Sequence, residues 1–119
     1  MGFYKMKTDL YKCDIELNEY NNLKLYKKPL YSLSKNNNFV CIGDYTELLQ
    51  IHKRLKDLLK YAYINNKNTN IIFTHNDDTF FIKNKKHNKT INLPNEQVYK
   101  LSANIGKFIY SKMIKKDKN

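Results

Sequence analysis

His75-Asn76-Asp77-Asp78 is the one stretch of this 119-residue chain where an imidazole and two carboxylates crowd together. Such a set has the groups for a general base, for half of a metal site, or for the His-x-carboxylate arm of a facial triad. The same residues also satisfy a hairpin turn, because Asn and Asp bond the local backbone and tolerate positive φ. A metal site would need a further ligand from outside the turn, and His52 and His87 are the only other histidines. The turn reading is preferred. A minor reading, a small metal-dependent hydrolase or nuclease using His75, Asp77 and Asp78, rests on this cluster alone. No Gly-rich phosphate loop, nucleophile elbow or zinc-protease helix occurs, and three glycines are too few for the first. The chain is therefore expected not to be an enzyme, with no catalytic residue, metal ligand or cofactor. His52 falls at the edge of an apolar helical stripe and reads as a structural histidine.

The basic segments carry the stronger signal. Lys and Arg number 22 against 11 acids, a formal +11, enough to attract polyanions. Lys, Asn, Ile, Tyr and Phe dominate the composition and have A/T-rich codons, so placement matters more than the total. Residues 71–119 alone carry +6. Lys83, Lys85, Lys86 and Lys89 fall close together with His87 among them and no acid between; Lys112, Lys115 and Lys116 form a second group near the end. With Lys100 and Lys107 on the last helix, these residues are the candidate binding site, provided the hairpin tip and the helix end meet. Such a pole would neutralise phosphates with little sequence preference. Base reading is disfavoured, because bidentate recognition prefers the Arg fork and Arg54 is the only arginine. Tyrosines adjoin lysines at Tyr4-Lys5, Tyr11-Lys12, Tyr26-Lys27, Lys60-Tyr61 and Tyr99-Lys100; exposed rings there could stack on unpaired bases or serve a protein contact.

Cys13 and Cys41 have no second pair, which disfavours a disulfide framework or a structural zinc, and both read as small buried apolar residues. No apolar run exceeds four residues, where a spanning helix needs about twenty. A cytoplasmic location without membrane contact is the expectation.

The elements that must position these residues follow from periodicity. Tyr11, Cys13, Ile15 and Leu17 alternate with polar residues as a half-wet strand does. A second run at Leu23 to Lys27, then Tyr31 to Ser34 and Phe39 to Ile42 around Lys35-Asn36-Asn37-Asn38, complete a predicted N-terminal β-meander. Asp44, with Glu47 as capping-box partner, opens a helix over about 44–64 whose apolar face is Leu48, Ile51, Leu55, Leu58, Leu59 and Ala62. A central hairpin joins Asn70 to Thr74 with Thr79 to Lys83, and Lys89 to Leu93 is a candidate third strand. A final helix over about 95–114 buries Val98, Leu101, Ile105, Phe108 and Ile109, turns Lys100, Asn104, Lys107, Ser111 and Lys115 outward, and contains Gly106, which implies close packing.

No internal repeat and no linker divides the chain, so one domain over 1–119 is expected, with flexibility confined to about 1–3 and 115–119. The predicted fold is α+β: an antiparallel sheet made from the meander and hairpin, with both helices packed on one face. The leading functional expectation is a small basic binding protein that engages nucleic acid, or the nucleic-acid-contacting region of a larger complex. The rival is a protein–protein inhibitor from a phage or mobile element, acting against a host defence complex in the manner of anti-CRISPR proteins; this rests on size and lack of motifs. Oligomeric state is left open.

Overall fold

A computed structural model describes residues 11–22, 24, 25 and 27–118, with side chains described through Ile114. Strands β1 (Glu16–Tyr20), β2 (Leu30–Lys35) and β3 (Asn38–Gly43) lead into helix α1 (Tyr45–Tyr61); β4 (Ile71–His75), β5 (Thr79–Asn84) and β6 (Lys89–Pro94) lead through a 3-10 turn, Asn95–Gln97, into helix α2 (Val98–Lys118). The class is α+β. The expected single sheet is instead two three-stranded antiparallel sheets, β1-β2-β3 and β4-β5-β6. Lys89 to Leu93 is the third strand of the second sheet.

Local chemistry sets most of the boundaries. Asn36 and Asn37 both take positive φ, 49° and 68°, the conformation that a two-residue hairpin requires. The Asp44 carboxylate accepts from the Glu47 amide at 3.2 Å, while the Asp44 amide donates to Glu47 Oε1 at 3.0 Å, so the predicted capping box is formed. Gly43 precedes it at φ 122°, where an added Cβ would overlap the Glu47 carboxyl group. No side chain fits at that position while the cap is in place. α1 stops at Tyr61, before the polar run 65–68, because Ala62 turns left-handed (φ 55°) and its amide bonds the Leu58 carbonyl.

The N-terminal alternation has a different outcome. Residues 11–15 run as a strap along α2: the Tyr11 amide and carbonyl are both bonded by the Asn104 side chain, at 2.9 and 3.0 Å, and the Asp14 amide donates to Gln97 Oε1. Ile15 stays buried and Cys13 and Leu17 half-buried, whereas Tyr11, read on the same inward side, is exposed; the period-two pattern marks facing from Cys13 onward, although the partner of the first half is a helix. The predicted Leu23–Lys27 strand is absent among the described residues; Leu25 N donates to Asn22 O in a turn, and Leu23 and Tyr26 lie outside them. The expectations at 1–3, and at 115–119 as regards side chains, also lie outside the described residues.

The element order, three strands then a helix, occurs twice. Buried Tyr31, Leu33, Val40, Ile42, Leu48, Ile51 and Leu55 in the first unit stand where buried Phe80, Ile82, Ile91, Leu93, Val98, Leu101 and Ile105 stand in the second. The contact between the units is reciprocal. Lys35, last residue of β2, donates from Nζ to the carbonyl of Asn92, fourth residue of β6, at 3.0 Å; Asn84, last residue of β5, donates from Nδ2 to the carbonyl of Cys41, fourth residue of β3, at 2.8 Å. Reciprocal contacts of this kind mark a two-fold-related pair. The chain is thus built as an internal pseudo-dimer, a repeat of elements where the residues themselves show none.

One hydrophobic cluster takes side chains from both sheets and both helices. The helices cross where Gly106 meets His52; a Cβ on Gly106 would stand 2.9 Å from the ring Nε2, which is the close packing that a mid-helix glycine implied. Leu59 and Ala62, expected on the buried face, are exposed, because the crossing covers only the first three turns. Burial, followed by the charge of Lys56, lowers the His52 pKa below its ordinary value. The native state therefore favours the neutral ring, and its stability is complete above the unfolded value of about 6.5 and declines as pH falls below it. His52→Gln should flatten this acid-side decline in urea midpoint between about pH 7 and about pH 5. An unchanged pH profile would show that the ring contributes nothing to it.

Candidate nucleic-acid interface

The hairpin tip between β5 and β6 is an ordered scaffold that carries exposed cations. β5 buries Phe80, Ile82 and Asn84 and turns Lys83 outward. At the strand end the Asn84 side chain, 2% exposed, accepts from Asn70 Nδ2 at 2.9 Å and from the His87 amide at 3.0 Å while it donates to Cys41 O. Asn70 fixes the next two residues, accepting from Lys85 N through its carbonyl and from Lys86 N through Oδ1, both at 2.9 Å. Asn88 then takes φ 52° and returns the chain into β6. The amides of residues 85–87 are all bonded to protein, so the turn is held from below while Lys83, Lys85, Lys86, His87 and Lys89 remain exposed. Among the described residues none of these four lysines is in an ion pair.

The rest of the predicted pole is arranged differently. Lys100 and Lys107 are half-buried, because the strap covers the face of α2 expected to be open. Lys107 Nζ lies 5.5 Å from the Tyr11 ring centroid, and Tyr11 packs edge-on against Tyr99. Asn104, expected to project, is the clamp that holds the strap. Lys112 is paired with Glu19 Oε2 at 2.6 Å; the same oxygen accepts from the Tyr31 hydroxyl at 2.8 Å. Burial and then the Glu19 contact push the Tyr31 pKa upward. This network anchors the late part of α2 to β1. The side chains of Lys115 and Lys116 lie outside the described residues. Among the described residues no hydrogen bond or ion pair joins the two basic segments.

The acidic turn is closed by its own hydrogen bonds. Asn76 Oδ1 accepts from the amides of Asp78 and Thr79, Asp78 Oδ1 accepts from Thr79 Oγ1, and Asn95 Nδ2 donates to Asn76 O. Among the described residues no three His, Cys, Asp or Glu side chains are grouped as a metal-binding set. Cys41 is exposed on the outward side of β3, not buried as read from its residue type, because Val40 and Ile42 occupy the inward positions. Arg54 is also structural: it bonds Asn65 O, Thr69 Oγ1 and Asn66 Oδ1, and its guanidinium lies 4.1 Å above the Phe73 ring.

The residue that sequence reasoning missed is Asn84. An Asn at the end of a strand, beside a lysine run, reads as solvent-facing, and only its inward parity with Phe80 and Ile82 hints otherwise. No protein-family model matches the chain, no curated protein is significantly similar to it in sequence, and no solved structure is significantly similar in fold. No helix among the described residues is long and apolar enough to cross a membrane.

Proposed function

We propose that the chain is a binding protein for the phosphate backbone of nucleic acid, engaged through the β5–β6 tip by Lys83, Lys85, Lys86 and Lys89. The observation that supports this reading is the combination of four exposed lysines outside any ion pair among the described residues with a turn whose amides at 85–87 are all hydrogen-bonded. Neutral acceptors hold the scaffold, so no carboxylate competes with an incoming phosphate. Cations on a pre-ordered turn lose less entropy on binding than cations on a loose tail. Compared with the pole expected from sequence, Lys100, Lys107 and Lys112 drop to a supporting role, because each is half-buried.

Binding should weaken with salt in proportion to the phosphates neutralised. Changing the four lysines to Ala should lower the slope of log affinity against log salt by about 3 on duplex DNA, and weaken binding by more than about tenfold near 0.1 M salt. Fluorescence anisotropy across a salt series measures both. Affinity and slope unchanged by the four substitutions would reject the proposal. A second reading, inhibition of a host defence complex by protein contact, is favoured by exposed Tyr110, Met113 and Ile114 on the last turns of α2; it predicts a complex that survives nuclease and ignores the four lysines.

A further inference from the structure

We propose that the preferred ligand is unpaired nucleic acid, laid across the outward faces of the two sheets where β3 adjoins β6, with bases on Phe39 and Phe81 and the backbone on Lys83. This rests on the nucleic-acid reading above and specifies the form of the ligand. β5 alternates strictly: Phe80, Ile82 and Asn84 are buried, so Phe81 and Lys83 share the opposite face. The register sets Phe81 between Thr74 and Asn92, and Lys83 between Ile72 and Thr90. Thus the central strand of the second sheet presents an aromatic ring and a cation side by side on a face that includes no carboxylate from β4, β5 or β6.

A second ring comes from the first sheet. Val40 and Ile42 are buried, so Phe39 faces outward, and it is 49% exposed. The seam between the sheets is closed by Lys35, whose Nζ bonds both the carbonyl and Oδ1 of Asn92, at 3.0 and 2.9 Å. Asn92 lies directly across from Phe81, and Lys35 pairs with Asn38, the neighbour of Phe39. The bridge therefore brings the strand that carries Phe39 beside the row that carries Phe81. Lys35 itself has the core-side parity of Leu33 and Val40, so it holds the seam from below and Lys83 is the cation on the face. Glu16, beyond β2 from Phe39, marks the limit of this cationic face.

Rings on a sheet face can be used only by bases that are splayed out, since a duplex hides its base faces. The only Arg is occupied inside the fold, so the face has no guanidinium fork for guanine, and stacking is tolerant of sequence. The ligand class is single-stranded DNA or RNA of loosely specified sequence.

Anisotropy with a labelled oligothymidylate and a duplex of equal length, on the whole chain, tests this. The single strand should bind about tenfold tighter than the duplex or more, and Phe81→Leu or Phe39→Leu should each weaken the single strand about tenfold with the salt slope unchanged. Phe81→Tyr and Phe39→Tyr keep a ring and should keep the affinity, which separates stacking from a fold made less stable. Equal affinity for both forms, indifferent to either Leu change, would overturn this inference and leave the backbone reading standing. Failure to bind either form at low salt, or a nuclease-resistant complex with a protein in its place, would overturn both.

Discussion

Arg54→Ala is expected to lower unfolding free energy by about 3 kcal/mol, a fall in melting temperature of roughly 10 °C for a chain of this size. The guanidinium makes three hydrogen bonds, to Asn65 O at 2.8 Å, Asn66 Oδ1 at 2.7 Å and Thr69 Oγ1 at 3.3 Å, and stacks on Phe73. Burial lowers its pKa from the usual value, yet an arginine remains charged in any protein setting. Its removal leaves the connection between α1 and β4 without its clasp. Asn66 adds to the effect, because its side chain accepts from Phe73 N at 3.0 Å and donates to Phe73 O at 2.9 Å; loss of the arginine frees the loop that this amide holds. The full value of three charged hydrogen bonds would be larger, but Asn65 is exposed and water can replace part of the contact. Arg54→Lys should recover under half of the loss, since one ammonium cannot serve three divergent acceptors and stack flat on a ring. Urea unfolding followed by circular dichroism measures both variants. A lysine variant within about 0.5 kcal/mol of the parent would show that charge alone, and not the fork, is what matters.

How far such residues can be read in advance depends on whether their partners are local. The Asn36-Asn37 turn and the Asp44–Glu47 cap are contacts within four residues, and each follows from residue type and spacing. The polar turns at 75–78 and 85–88 were legible for the same reason. Facing was legible in part: the alternation marks the inward side at Cys13, Ile15 and Leu17 but fails at Tyr11, which is exposed. What alternation cannot carry is the identity of the neighbour, so a strap bound to a helix and a strand bound to a sheet look alike. The division into two sheets is hidden likewise, because β3 and β6 have the pattern of interior strands. A signal for the doubling does exist in the apolar spacing of Tyr31 to Leu55 against Phe80 to Ile105. It is masked because the second hairpin connection is longer and no residue identities recur. At the candidate site, the tip lysines were legible as a cluster, while the fate of Lys100, Lys107 and Lys112 depended on a strap and on Glu19, both distant in the chain.

Asn84→Ala is expected to cost about 3 kcal/mol of stability and to disorder the basic tip as well. The substitution strands the Cys41 carbonyl, the Asn70 amide group and the His87 amide at once, at a position 2% exposed. A buried polar group left without a partner costs about 1–3 kcal/mol; three groups are affected, but those at Asn70 and His87 lie near solvent and recover part of the loss. Hydrogen exchange at the Lys86 and His87 amides should accelerate beyond the change in global stability, because the turn opens locally. The binding consequence separates order from charge. All four lysines remain, so the salt slope on nucleic acid should stay near the parental value while affinity drops several-fold, the cost of ordering a loosened turn on the ligand. Asn84→Asp gives a sharper version. Its carboxylate still accepts from Asn70 and His87 but faces the Cys41 carbonyl with a lone pair where the amide donated, and its charge is buried. The native state must then prefer the protonated acid, which can donate to Cys41, so its pKa rises above the unfolded value of about 3.9. This variant should be most stable in acid relative to the parent and lose stability as pH rises through that raised pKa, whereas the alanine variant should show a deficit constant with pH. Equal deficits for Asp and Ala at every pH would mean that the Cys41 contact is not what holds the tip.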